Sequence, residues 1–417
     1  MAEPLQPADR AILDLESATI AGHTCKVMRI GAPGVDIDAV RARIGERIGA
    51  VPELARRLGE EAGEPAWVPW EDFDPTRRAL PLEQAAPLSR GDVPAAAARL
   101  FAQRLDRDHP LWQIHVAELD DGGTALIWRI HHALADGTAA MRFARELLWD
   151  APEQPPGRVS PVTGRKSPQP HPDDERRHRH LVAMIEREFA ESTRRSPFDG
   201  AIGTTRRIAF ASVELQPLHD AARQLADATL NDAVLSVLAG ALRRWLKEHH
   251  GSLHGVRVRV PVSLHHEGDA VANLDSFFSL RLPLADADPV DRLRTVHRET
   301  KRRKAAHDAE ELREFLEELG AASPRMRSLA ERIERNPRSF ALSVSNVPGP
   351  REPVSVLGAP VESIHSIAEI GERHALRVAV VSLAGELHFG FCADPAIVDG
   401  LDAMAAGVEL EAAELVG

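Results

Sequence analysis

The chain has 417 residues, enough for more than one hydrophobic core, and a formal net charge of −12 at pH 7, which disfavours broad nonspecific binding to nucleic acid or anionic bilayers. Its two cysteines, Cys25 and Cys392, fit neither a disulfide framework nor a zinc-ligand spacing, and the absence of tyrosine rules out a phenolic acid or oxyanion donor. No run approaches the roughly 18 apolar residues of a membrane-spanning helix, and no basic-then-apolar pattern opens the N-terminus, so a cytoplasmic protein is expected.

A first domain is expected over residues 1–150, opening at Leu13-Asp14-Leu15-Glu16 and continuing in a helix that carries Val40, Ile44 and Ile48. Pro110-Leu111-Trp112 reads as core packing. The apolar run Thr124 to Ile130, introduced by Asp121-Gly122-Gly123, predicts a strand buried on both faces. It ends in His131-His132-Ala133-Leu134-Ala135-Asp136-Gly137, after which Ala140, Met141, Phe143, Ala144, Leu147 and Leu148 recur with helical spacing.

Residues 151–196, rich in proline and polar residues from Pro152 to Pro172, predict an exposed linker. A second domain over 197–417 carries expected strands at Arg207 to Leu215, Val256 to Pro261, Phe340 to Ser345 and Arg377 to Phe391, interleaved with helices. Asn231 is placed to cap the helix Ala233 to Leu246, with Asp232 favouring its positive end. Val347-Pro348-Gly349-Pro350 predicts a rigid turn. Two basic patches occur, Arg176 to His180 and Lys301 to Lys304; the second leads into a charged helix with one apolar stripe, Leu312, Phe315, Leu316 and Leu319. A second histidine pair, His265-His266, lies in a polar stretch with a different spacing to Asp269 and reads as a loop. There is no repeat of fixed period. The class is α/β, with mixed sheets flanked by helices.

Histidine titrates near neutrality, so a neutral imidazole can take a proton from a hydroxyl as its oxygen attacks a carbonyl. Consecutive strand residues face opposite ways, so of His131 and His132 one is the base and the other structural. Asp136 either bears on the imidazole or holds the loop, and it is also a good cap for the helix opened by Gly137. Without tyrosine, Ser345, Asn346 and Asn273 are the candidate side-chain donors to an oxyanion. Nothing in the spacing of His, Cys and acidic residues suggests a metal or a bound cofactor.

In these blocks the chain resembles the bacterial wax ester synthase/diacylglycerol acyltransferase family, within the larger group of CoA-dependent acyltransferases related to chloramphenicol acetyltransferase. The resemblance rests on the His131 to Gly137 motif, on Leu105 to Trp112 ending in Pro-Leu-Trp, on Asn231-Asp232 with its helix, and on Ser345-Asn346-Val347-Pro348-Gly349-Pro350. Departures are the short stretch from Asp150 to Pro197, Ser382-Leu383-Ala384-Gly385 where the family has Ser-Tyr-x-Gly, Ala272-Asn273 for Gly-Asn, and Phe73 to Arg78, which lacks the His of many relatives. The resemblance implies two similar subdomains with a channel between them, acyl-CoA as co-substrate, and diacylglycerol or a fatty alcohol as acceptor. It also implies His132 as base, acting without an acyl-enzyme, and a peripheral encounter with a membrane or lipid inclusion. Asn231, Asp232, Asn273, Ser345 and Asn346 are the candidate substrate contacts. Two other functions stay open: carrier-dependent condensation or polyketide-associated acyl transfer, and lipid binding without turnover.

Overall fold

The structure is a computed structural model that describes residues 2–150, 195–251, 253, 256–263, 275–305 and 340–417. Most of the expected linker, the second histidine pair, Asn273, the Arg176 patch and the charged helix at 312–319 lie outside the described residues.

The first half contributes β1 (Glu3–Pro4), α1 (Pro7–Asp14), β2 (His23–Ile30), α2 (Ile37–Arg47), β3 (Arg56–Glu61), β4 (Glu64–Pro69), β5 (Ala79–Pro81), α3 (Val93–Phe101), β6 (Trp112–Glu118), β7 (Thr124–His131) and α4 (Gly137–Leu147). The second contributes β8 (Arg207–Glu214), α5 (Leu215–Ala226), α6 (Leu230–His249), β9 (Arg257–Ser263), β10 (Asp275–Arg281), α7 (Pro289–Ala305), β11 (Leu342–Val347), β12 (Ser355–Val356), β13 (Ala359–Ala368), β14 (Leu376–Leu383), β15 (Glu386–Ala393) and α8 (Leu401–Val416). Two six-stranded mixed sheets result, ordered β12-β13-β2-β7-β6-β5 and β10-β9-β11-β14-β15-β8, beside a small sheet β1-β4-β3.

Every residue of β7 is buried, as its unbroken apolar run requires of a strand covered on both faces. Its neighbour β6 carries Trp112, whose indole N–H donates to the Leu54 carbonyl at 2.7 Å, while Arg78 reaches the Pro110 and Trp112 carbonyls at 2.8 and 2.9 Å. The Pro-Leu-Trp block is therefore core beside the strand that leads to the histidine motif. In α2 the predicted stripe holds for Val40 and Ile44, but Ile48 falls in a short 3-10 turn beyond the helix.

Three expectations need correction. The run from 377 to 391 is two antiparallel strands, β14 and β15, and the chain reverses at Ala384 (φ 45°) and Gly385 (φ 93°). Alanine in a position that usually carries Asn or Gly hid that turn within the apolar run. The cap of α6 is Thr229, whose hydroxyl accepts from the Asp232 N–H while the Asp232 carboxylate accepts from the Thr229 N–H; Asn231 lies inside the first turn. Finally, a division by chain order fails for β12 and β13, which belong to the second half yet complete the first sheet, β13 pairing with β2 from Val361↔Ile30 to Ala368↔Thr24. Without them β2 would be an exposed edge.

The two sheets meet at β13. Gly390 of β15 lies so close to the Ser366 carbonyl that any side chain there would collide with it. Among the described residues no single helix is long and apolar enough to cross a membrane, and the apolar length of α6 is core.

Burial holds His23, His115, His374 and His388 uncharged, lowered to about 3, 4, 3 and 4. These values lie below the unfolded value of about 6.5, so the unfolded chain binds protons first as the pH falls. Their contribution to stability is complete above about pH 6.5 and is lost from there toward about pH 4, with the burial-raised Glu369 carboxyl opposing it. Melting temperature is expected to be level above pH 7 and to fall steadily below about 6.5; an unchanged Tm between pH 7 and pH 5 would contradict this reading.

Candidate active site

His131 and His132 part company where β7 ends. His131 is the last residue of the strand, facing the side of Arg129 and His23, and is 1 % exposed. Its Nδ1 accepts from the Ala133 N–H at 3.1 Å, so Nε2 carries the proton and donates to Glu16 Oε1 at 2.7 Å. Burial pushes the Glu16 carboxyl up, but the bonds from His131 and Arg107 outweigh it and leave Glu16 below the usual carboxylate value. His131 is thereby a fixed strut.

His132 faces the other way. Its backbone N–H donates to the Gly22 carbonyl at 2.9 Å, and the residue is half-buried. Its Nε2 is shielded from solvent and has no hydrogen-bond partner among the described residues. Burial, then the charge of Arg377, with smaller effects from His131, Lys26 and His23, holds the imidazole well below its ordinary value. An uncharged ring with a lone-pair nitrogen left over is the form a base must have.

Asp136 is the N-cap of α4, accepting from the Ala139 N–H at 2.7 Å. Beneath the motif lies Lys26 of β2, 1 % exposed, whose ammonium donates to Ser366 Oγ of β13 at 2.6 Å. Burial lowers Lys26 to about 8, opposed by Cys25 and Asp136.

The second sheet supplies the opposite wall. In β11 and β14, Ser343 pairs with Arg377, Ser345 with Ala379 and Val347 with Val381, so these residues share one face. That face fronts the first half, because Val347 Cγ2 would come within 2.9 Å of a side chain placed on Gly137. On this face Ser343, Ser345, Val347 and Arg377 are half-buried while Ala379 and Val381 are buried. Gly137, five residues beyond His132, meets this face at Val347, so the histidine motif lies against it.

Not every candidate lies on this face. Asn346 lies on the opposite face from Ser345 and donates from Nδ2 to Asn231 Oδ1 at 3.4 Å, joining two of the sequence blocks to each other. Asp232, 1 % exposed, accepts from Thr300 Oγ1 at 2.6 Å, sits 2.9 Å from His297 Nδ1 and completes the cap of α6, so its oxygens are spent on internal anchoring. The structure thus sets the histidine motif against the strand face of Ser345 and leaves Asn231 and Asn346 paired on the other face of β11, with Asp232 in the cap of α6. Sequence reasoning passed over Glu16, Lys26 and Arg377. The available signal was a lone charge inside an apolar strand, Lys26 between Cys25 and Val27 and Arg377 between Leu376 and Val378.

Known proteins resemble the chain in both of its halves. Residues 5–191 match the wax ester synthase/diacylglycerol acyltransferase catalytic domain, and residues 272–415 match the C-terminal domain of the same family. The chain belongs to the wax ester synthase/diacylglycerol acyltransferase family. It is similar to a putative diacylglycerol O-acyltransferase of Mycobacterium bovis, 30 % identical over 351 residues that cover 76 % of this chain and 75 % of that protein. A probable diacylglycerol O-acyltransferase of Mycobacterium tuberculosis is 28 % identical over 432 residues, 93 % of this chain and 89 % of its own. The solved wax ester synthase/diacylglycerol acyltransferase of Marinobacter aquaeolei VT8 shares the fold with a TM-score of 0.73 at 24 % identity, covering 99 % of this chain and 98 % of that one. The first condensation domain of the CDA synthetase shares it at 0.60 and 18 %, covering 100 % and 96 %. The chain is thus an acyltransferase, and its histidine motif and the Ser345 turn fall in the two matched family domains.

Gly137 is one point where those domains touch. Gly137→Ala should push Val347 away from the motif and cost about 1–3 kcal/mol, with a loss of activity. Adding Val347→Ala should restore much of both, read by denaturant midpoint and turnover, whereas strictly additive effects would show that the two residues do not meet.

Proposed function

We propose that this acyltransferase moves a fatty acyl group from acyl-CoA to the hydroxyl of diacylglycerol or a long-chain alcohol, giving triacylglycerol or wax ester, with His132 as general base. The observation that carries the mechanism is the uncharged, unpartnered Nε2 of His132, in a motif that lies against the Ser345 face of the second sheet. The names of the relatives support the acceptor class.

In this reading Nε2 takes the hydroxyl proton as oxygen bonds to the thioester carbon. The carbonyl oxygen takes up the negative charge, and the carbon–sulfur bond then breaks. The thiolate recovers the proton from the imidazolium, so no acyl-enzyme forms. Holding both substrates in one passage removes much of the entropic barrier. No cofactor beyond the co-substrate CoA ester enters the reaction.

His132→Ala should lower turnover by about 10²–10⁴-fold with an unchanged melt, followed as free thiol released from palmitoyl-CoA with hexadecanol or dioleoylglycerol. Near-normal turnover in that variant at every pH would remove His132 as the base. Thiol release that requires a carrier-bound donor would instead favour a condensation-type reaction.

The acceptors are water-insoluble, and we further propose that the cytoplasmic enzyme meets them at an anionic lipid surface through α7. Arg294, Arg298, Lys301, Arg302 and Lys304 are exposed on this helix, against its buried Leu293 and Val296, and among the described residues Arg294 and Arg302 pair with Asp291 and Glu299 at 3.4 and 2.9 Å. This local charge runs against the net −12 of the chain. Binding to phosphatidylglycerol vesicles, weakened by salt and absent on phosphatidylcholine, is expected to be lost when Arg298, Lys301 and Lys304 are changed to Glu; binding unaffected by that reversal would exclude α7.

A further inference from the structure

We propose that Arg377 is a catalytic residue whose guanidinium, facing His132 from the second sheet, donates to the thioester oxygen as it becomes an oxyanion. The proposal rests on His132 being the base.

Register places Arg377 on the inter-sheet face with Ser343, one residue pair from Ser345, the face that meets the histidine motif where Val347 approaches Gly137. Its Nη1 donates to the Glu369 carbonyl at 2.9 Å, which fixes the guanidinium from behind, and its buried Nε has no partner among the described residues. A guanidinium has five donors in a rigid fork, so donors remain after that anchoring bond. Asn346 is turned away to Asn231 and the chain has no tyrosine, while Ser345 lies on the same face as Arg377 and carries no charge.

The surrounding charges fit this role. Burial lowers the Arg377 guanidinium, while Glu369 and Cys392 oppose that shift. The Glu369 carboxylate is itself engaged by the Ala21 N–H at 3.1 Å and by Arg206 at 3.0 Å, so Arg377 is not its sole counter-ion. The groups acting on His132 are Arg377 from β14, His131 from β7, and Lys26 and His23 from β2, and after burial Arg377 acts most strongly. One guanidinium would therefore do two things: disfavour a proton on the resting base and stabilise the charge that forms when the base acts. Proton bookkeeping is unaffected, because Arg377 donates hydrogen bonds and transfers no proton.

The test is thiol release by the full chain from pH 5 to 9, with thermal melts, for wild type, Arg377→Gln, Arg377→Lys and His132→Ala. Arg377→Gln should lower kcat by about 10²–10³-fold, as loss of one oxyanion donor does, with little change in KM for palmitoyl-CoA. Its acid limb of kcat/KM should move to higher pH, because the imidazole has lost its strongest neighbouring cation. Arg377→Lys should keep the acid limb near the wild-type position and recover part of kcat. An Arg377→Gln enzyme with kcat within a few-fold of wild type and an unmoved acid limb would overturn the proposal, as would losses that only follow a fall in melting temperature. Inactive His132→Ala beside normal Arg377→Gln rejects Arg377 alone, whereas active His132→Ala rejects the base reading itself.

Discussion

Pairing of β13 with β2 is the constraint on which the site depends. This strand belongs to the second half of the chain but completes the first sheet, and the chain then turns through Glu369 into β14 of the second sheet. The turn is knotted by a buried carboxylate, with Glu369 accepting from the Ala21 N–H at 3.1 Å, the Ile370 N–H at 3.2 Å and Arg206 Nε at 3.0 Å. Ala21 leads to Gly22, whose carbonyl holds the His132 backbone, and Arg377 donates to the Glu369 carbonyl. One turn thus fixes both walls relative to each other. Removing a partner from such a buried pair leaves an uncompensated charge, which costs more than the pair contributes.

Within that frame the two histidines divide the work through strand geometry alone. A strand that continued its alternation to its last residue sends His131 to Glu16 and leaves the next ring facing the second sheet. Asp136 then starts α4 so that the loop closes over β2 and Lys26, and Gly137 lets Val347 approach. Small residues and caps set this geometry; burial and neighbouring cations set the charge.

Local features were legible in the sequence because their causes are local. The buried run of β7, the apolar stripe of α4, the Asp136 cap and the opposition of His131 and His132 all follow from periodicity and side-chain chemistry over a dozen residues. What escaped has nonlocal causes. Nothing in Ala359 to Ala368 reveals that its partner is β2 at the other end of the chain. Asn231 and Asn346 were read separately as substrate contacts, and their pairing turns them from the face that carries Ser345. The charges that tune His132 come from β2 and β14, so no window around the motif contains them.

The account stands on His132 being uncharged in the resting enzyme at neutral and mildly acidic pH. Proton–carbon correlation NMR of histidine ring-labelled protein, with the His132 signal assigned by its absence in a His132→Gln variant, reads that state directly. The expected result is a His132 signal that keeps neutral-imidazole shifts from pH 8 to pH 5.5. A midpoint near 6.5, the value of an unperturbed imidazole, would contradict it.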